Sequence, residues 1–539
     1  MSDIAPGATD SNKFRYYALE MAEKQRHKKL IIYKEPVRTI PVIFVPGVMG
    51  SNLMDANGKS IWRTDDSLGL DAFYSWGFRG AEKRKRLLDP NNTFVDPSGL
   101  IDLEQYNEVE QFSTRKLRGW GEIGHMSYGE FLSWLQTVLN DHLTKNENTR
   151  TKNGKKTLRE KLVTIDLNAE KGEQESKNVD TDLTYKYLFP VHVVGYNWLQ
   201  SNEKSAGVLK EKTEEIVKGY NSRNMLCEKV ILVTHSMGGF VARHYSENLG
   251  GSNTILGIVH GVMPTLGSPL TYKRMKAGEA GGVGLVIGSS GEQMTAVLAQ
   301  APGPLQLLPG KSYGMGWLRI EGLKEGLPKT DPFEEIYIKK DVWWGLCEDR
   351  FINPEFNHTN KSLLDISWVR YKNMIIEDVQ PFIEMLDEKF HENTYVFYGN
   401  DGIKYPSYRH INWKNYSYGY YERNKAGNTS DIALRGIIID HENTEIKDVR
   451  TAYLVDSQDK TQWKKKSYII SPPCDPGDGT VPVEGAKFES AGLKAMLGVG
   501  VDHEGAFKST NTEDARLFTL RSIIKISQDV TKTKLAYKS

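Results

Sequence analysis

Three short runs of apolar, mostly β-branched residues punctuate the first half of the chain: TIPVIFVPG (39–47), LFPVHVVGYNW (188–198) and KVILVTHS (229–236). Runs so short and so continuously apolar predict strands buried on both faces of a parallel sheet. TILGIVHGVMP (254–264) and TYVFYGND (394–401) predict two more. Between the second and third runs, SAGVLKEKTEEIVKGY (205–220) sets Val208, Leu209, Ile216, Val217 and Tyr220 on one helical face. Another short helix is expected directly after Ser236. Strand, helix, strand, helix in that order predicts an α/β fold with crossover connections and a mostly parallel central sheet.

The intervals between these elements are long. In the first, SYGEFLSWLQTVLNDHL (127–143) predicts a helix, with Ser127 and Glu130 at capping-box spacing and an apolar stripe of Phe131, Leu132, Leu135, Val138 and Leu139. The stretches 145–162 and 168–182 are polar enough to predict exposed loop. The expected division is an N-terminal extension (1–38), a first core part (39–265) with a polar insertion near 140–183, a cap or lid insertion (266–393), and a second core part (394–539) with an insertion near 401–471.

Composition narrows the class only modestly. The 539 residues are 39% hydrophobic and 26% charged, as in an ordinary globular protein. Seventy basic against sixty-nine acidic side chains leave a net charge of +1, so no global field draws the chain to nucleic acid. Cys227, Cys347 and Cys474 cannot form a disulfide framework, and reduced, mostly buried thiols are expected. The N-terminal segment lacks the apolar core of a secretory signal, and no run approaches the ~18 apolar residues of a spanning helix. Synthesis in a cytoplasm, with any export by a signal-independent route, is the expectation.

The candidate chemistry starts at Ser236, where THSMGG follows the apolar run Val230–Val233. A nucleophile elbow puts serine on a strained strand-to-helix turn and needs small neighbours, because strand and helix approach closely there. Gly238 and Gly239 supply that room, while Thr234 stands where the G-x-S-x-G pattern has its first glycine. His235 is too close in sequence to serve as base, since adjacent side chains on a tight turn diverge; packing beneath the elbow is its expected role. Elbow enzymes of this architecture run Ser, acid, His along the chain. PPCDPGDGTVPVEGA places Asp478 in a glycine-flanked turn, and GVGVDHEGAF places His503 in a loop before a C-terminal helix. The spacing leaves room for one strand and a helix between them. Asp401, Asp475 and Asp502 are the competing acids, and the flanking glycines favour Asp478. The oxyanion donors are expected to be the Met237 amide and the amide of Val48 or Met49 in VPGVMGSN. No metal or other cofactor is expected; whether calcium is needed is left open.

PVIFVPGVMGSNL, GYNW, THSMGG, TYVFYGND, GDGTVP and the late Asp-His together resemble the lecithin:cholesterol acyltransferase and lysosomal phospholipase A2 group of α/β-hydrolases. That resemblance implies catalytic roles for Ser236, Asp478 and His503, and oxyanion roles for Val48 and Met237. MPTLGSPLTYKRMKAGEAGG and VLAQAPGPLQLLPG are similar to segments of antibacterial lipase effectors delivered by type VI secretion. This implies an α/β-hydrolase fold with large cap insertions and phospholipase or lipase activity on a phospholipid membrane. It also implies a cognate immunity protein, a secretion-apparatus carrier, and delivery to the periplasm of a target cell.

A lipid substrate also has a physical argument. Residues 281–309 are rich in Gly, Ala, Val, Leu and Pro with Glu292 as their only charge, and Trp317, Trp343 and Trp344 follow. A mobile apolar flap with interfacial tryptophans is expected to cover an acyl groove in water and open at a bilayer. An acyltransferase of the same fold is the closest rival. A non-catalytic binding protein would lack one of the nucleophile, acid or base, and a peptidase would need a specificity site that the sequence beside the elbow does not display.

Overall fold

The computed structural model describes residues 37–65, 76–102, 112–141, 157–279, 287–356, 360–416, 449–455, 463–510 and 513–537, with short pieces at 16–17, 33–34, 281, 284 and 436–437. The extension expected over 1–38 therefore lies mostly outside the described residues. Six strands form the central sheet: β1 (Val42–Val45), β2 (Val191–Val193), β3 (Val230–His235), β4 (Ile255–Gly261), β5 (Thr394–Gly399) and β6 (Leu493–Val499). Their spatial order is β6-β5-β4-β3-β1-β2, and every neighbouring pair is parallel. All residues of β1 to β5 are buried, as their continuous apolar character requires.

The helices that frame the site are α1 (His125–Leu139), α2 (Asn202–Asn221), α3 (Gly238–Asn248), α4 (Leu270–Ala277), α5 (Gly291–Leu298) and α6 (Asp514–Ile526). Alternation along the strands divides the core. Ile43, Val45, Leu232 and Ile258 pack with Leu209 of α2 and Val241 of α3, while Phe44, Ile231, Val233 and Val259 pack with Phe131 of α1 and Phe518 of α6. Among the described residues no helix is long and apolar enough to cross a membrane.

Three expectations are corrected in the surrounding layers. Helix α1 begins at His125 from an uncapped Gly124, so Ser127 lies inside it and donates to Glu504 Oε1 at 3.4 Å instead of capping. The polar stretch 168–182 carries the short helix Glu173–Lys177 and the start of Thr181–Thr184. It folds because Arg521 of α6, with a side chain 1% exposed, donates to both oxygens of Glu173 at 2.9 and 2.7 Å. Glu173 also accepts the Leu167 and Ala169 N–H groups, and Lys171 bridges to Met496 along the free side of β6. Of 145–162, residues 145–156 lie outside the described residues, and Leu158–Leu162 is a helix with a complete Thr157–Glu160 capping box.

The third correction concerns the cap. Leu318–Ile320 from one insertion pairs with Ile411–Tyr416 from the other, and Trp463–Ile470, Val449–Val455 and Gly436–Ile437 complete a second five-stranded sheet. Lys276 Nζ of α4 and Arg450 Nε lie 2.9 and 3.3 Å from the same Glu348 oxygen, all three side chains at most 9% exposed. Trp317, Trp343 and Trp344 are 1%, 0% and 5% exposed inside this cap, where Trp343 stacks on Tyr468 with ring centres 4.6 Å apart. They are core residues and not interfacial ones. Likewise α5 and Pro302–Leu305 are largely buried, so the segment expected to be a mobile flap is packed core over 287–309. Residues 280, 282, 283, 285 and 286 lie outside the described residues. Of the cysteines, Cys227 and Cys347 are buried and Cys474 is exposed.

Candidate active site

Ser236 occupies the single turn between β3 and α3 with φ +52°, a left-handed conformation that costs a non-glycine residue conformational energy. The turn is held by Ser236 N–H donating to Gly261 O at 2.9 Å and Gly239 N–H donating to Ser236 O at 2.9 Å. Its neighbours must be small. A Cβ on Gly238 would lie 2.4 Å from Pro46 O, and one on Gly47 would lie 2.9 Å from Ser236 Cβ. Thr234 fits where a glycine is usual because its Oγ1 is hydrogen-bonded with His260 Nδ1 of β4 at 2.8 Å. Its hydroxyl is therefore satisfied in a fully buried position.

The late sequence converges on this turn. His503 Nε2 lies 2.8 Å from Ser236 Oγ, and His503 Nδ1 lies 2.8 Å from Asp478 Oδ2. With Nδ1–H donating to the carboxylate, Nε2 is the nitrogen left to accept the serine proton. The other Asp478 oxygen accepts the Thr480 and Val481 N–H groups at 2.9 and 2.6 Å. Gly479 makes this turn with φ +85°, and Gly399 at the end of β5 has no room for a Cβ against Asp478. His503 N–H also donates to Asp478 O at 2.8 Å, locking the two loops together. A short helix, Val483–Ala486, and β6 lie between acid and base. The competing carboxylates are engaged elsewhere: Asp401 accepts Ile403 and Lys404 N–H, Asp475 accepts Arg409 N–H, and Asp502 accepts Gly505 N–H. Those backbone donors hold the Asp401 carboxyl below its ordinary pKa.

Pro46–Met49 stands against the serine through the Gly47 contact, and Met49 takes φ +62° in the turn. The amides of Val48, Met49 and Met237 have no acceptor among the described residues, whereas Met49 O accepts Trp62 Nε1–H at 2.7 Å. Ser236 and Asp478 are each 2% exposed, and the His503 side chain is 14% exposed. The segment leading into α4 closes over the acid turn, with Ser268 O–H donating to Thr480 O at 2.6 Å and Leu266 N–H to Gly485 O at 2.9 Å. Among the described residues no group of three or more His, Cys, Asp or Glu side chains is arranged to hold a metal. His260, Tyr128 and the Thr480 and Val481 amides are site elements that sequence reasoning missed. Only the glycine-rich turn GDGTVP carried any signal for them.

Comparison with known proteins agrees with this architecture. Residues 200–280, spanning α2, β3, the elbow and β4, match the family model described as a PGAP1-like alpha/beta domain. No curated protein sequence gives a significant match. The crystal structure of the Tle4–Tli4 complex contains a chain that superposes with a TM-score of 0.72 at 26% identity, covering 91% of this chain and 99% of that one. The chain is an α/β-hydrolase-fold protein, similar over nearly its whole length to a chain of the Tle4–Tli4 complex.

Proposed function

We propose that the chain is a serine lipase of the type VI secretion effector class, cleaving acyl esters of membrane phospholipids. The observation that carries the reading is the unbroken line from Ser236 Oγ through His503 to Asp478 on a left-handed elbow. In the proposed reaction the Ser236 oxygen attacks the ester carbonyl carbon while its proton passes to His503 Nε2. Asp478 keeps the imidazole in the required tautomer and stabilises the imidazolium. The Met237 amide and that of Val48 or Met49 receive the negative charge on the tetrahedral oxygen. Collapse of that intermediate expels the alcohol, which takes the proton from His503, and leaves an acyl-serine. Water, deprotonated by His503, then attacks the acyl carbon and releases the fatty acid with Ser236 reprotonated.

Ser236 is 2% exposed, and the proposal includes a local opening movement around the elbow that admits the ester. A lipid surface supplies apolar contacts for the parts uncovered by that movement. The likeness to the Tle4–Tli4 complex supports an effector role and a partner protein that inhibits the enzyme in the producing cell. Delivery by a secretion carrier to the periplasm of a target cell belongs to the same proposal. The direct test is fatty-acid release from phospholipid vesicles by the wild-type chain and by Ser236→Ala. The variant is expected to lose at least ~10⁴-fold of the rate, as removal of a triad member does elsewhere. Equal rates for the two chains would remove Ser236 from the mechanism.

A further inference from the structure

His235 precedes the candidate nucleophile, and both of its ring nitrogens are hydrogen-bonded to other parts of the site. Its Nε2 lies 2.7 Å from the backbone oxygen of His503, and its Nδ1 lies 2.8 Å from the Tyr128 hydroxyl. A carbonyl oxygen only accepts, so Nε2 carries the hydrogen, and in a neutral ring Nδ1 must accept from Tyr128 O–H. The tyrosine oxygen in turn accepts Gly47 N–H at 3.4 Å. His235 is 4% and Tyr128 3% exposed, and burial lowers the His235 pKa to about 3 and raises that of Tyr128. The ring is neutral and the phenol protonated at any pH near neutrality. Gly47 and Gly50 make the close approach possible, since a Cβ would come 2.9 Å from His235 Nδ1 at Gly47 and 2.7 Å from Tyr128 Oη at Gly50.

We propose that Tyr128 and His235 are positioning residues, a buried relay running from Gly47 N–H through Tyr128 and His235 to the His503 carbonyl. It fixes the loop of the proton-accepting histidine and the loop of the oxyanion amides to the strand that carries the serine. The inference rests on the serine-hydrolase reading and deepens it. Neither residue touches substrate. His235 acts through the backbone of His503, and Tyr128 acts by holding His235 in the tautomer that can donate to that backbone. A displaced His503 or Gly47 loop would leave the reacting groups present but misaligned, which lowers turnover more than affinity.

The test uses the full chain with three variants: His235→Leu, which removes both hydrogen bonds; His235→Gln, whose amide nitrogen can reach the His503 carbonyl; and Tyr128→Phe, which removes one oxygen. Two readouts are followed, the labelling rate of Ser236 by a fluorophosphonate probe and kcat and KM for vesicle hydrolysis. A misaligned site predicts about 100-fold slower labelling and kcat for His235→Leu with KM within about threefold. His235→Gln should recover most of that loss, and Tyr128→Phe should fall between, about tenfold down. Should His235→Leu fail to fold, the ordering of His235→Gln above Tyr128→Phe decides the matter alone. Labelling of His235→Leu and Tyr128→Phe at the wild-type rate, or a loss carried by KM, would overturn the relay and leave the hydrolase reading standing. Normal vesicle hydrolysis by Ser236→Ala would instead strike the hydrolase reading, whatever the relay variants did to probe labelling.

Discussion

At the scale of single residues, the site depends on hydrogen bonds that leave each polar group one role. Asp478 shows this best: one oxygen meets His503, the other is spent on two backbone N–H groups, and the carboxylate is therefore unable to rotate. Asp478→Asn keeps the shape but can turn its amide toward His503, favouring the wrong imidazole tautomer. Its kcat on vesicles is expected to fall ~10⁴-fold with thermal stability close to wild type. A loss below about tenfold would hand the orienting role to another carboxylate. Much of this was legible in the sequence, because a strained turn needs glycine and GDGT and SMGG display it. Thr234 was a departure in the string and became intelligible only with His260 beside it. Tyr128 carried no local signal at all, since its partner lies 107 positions away.

Among elements, the closeness of α3 to the end of β1 sets the elbow. Gly238→Ala would push a methyl to 2.4 Å from Pro46 O and 2.5 Å from Val45 O, forcing helix and strand apart. Overpacking of this kind costs about 1–3 kcal/mol, so a lower Tm and at least a tenfold slower turnover are expected. Gly207→Ala in α2 is the matched contrast, since a Cβ there meets nothing within 4 Å and the helix gains about 0.5–1 kcal/mol. Melting curves and vesicle rates of both variants check the pair, and a Gly238→Ala enzyme as fast and as stable as wild type would contradict the packing argument. Five strands of the central sheet were readable because burial on both faces writes itself as continuous apolar runs. β6 was not singled out: the exposed Lys494 and the half-buried Gly498 interrupt its apolar run. The cap sheet was invisible for a different reason. Its pairings, such as Leu318 with Ile411, join segments too distant for any local pattern to report. The same distance hid the fate of the tryptophans, whose apolar rings were visible while the surfaces that cover them were not.

The whole molecule carries an acid sensitivity that no single site reveals. His192, His235 and His260 are buried, and desolvation lowers each pKa from 6.5 to about 3. Their folded values lie below the unfolded one, so the unfolded chain binds protons first as pH falls. Their stabilising effect is complete above pH 6.5 and drains away between 6.5 and about 3. At pH 5 each costs ~2 kcal/mol. Glu122 opposes them, because burial raises its carboxyl to about 7 and acid then favours the folded form; that contribution is also ~2 kcal/mol at pH 5. The histidines prevail by roughly 4 kcal/mol, which for a chain of this length predicts a Tm several degrees lower at pH 5 than at pH 7. Calorimetry at the two pH values checks it, and an unchanged or higher Tm at pH 5 would refute it. A final consequence follows from where along the chain the reacting groups lie. Ser236 and His503 stand 267 positions apart and meet only when β5, β6 and the two late loops are in place. On a ribosome, the proposed membrane-cleaving centre is therefore without its proton acceptor until residue 503 has been made. A fragment released between residues 236 and 503 carries the serine without the histidine, and a shorter one carries neither, so on the proposed mechanism interrupted translation yields no active centre in the cell that makes it.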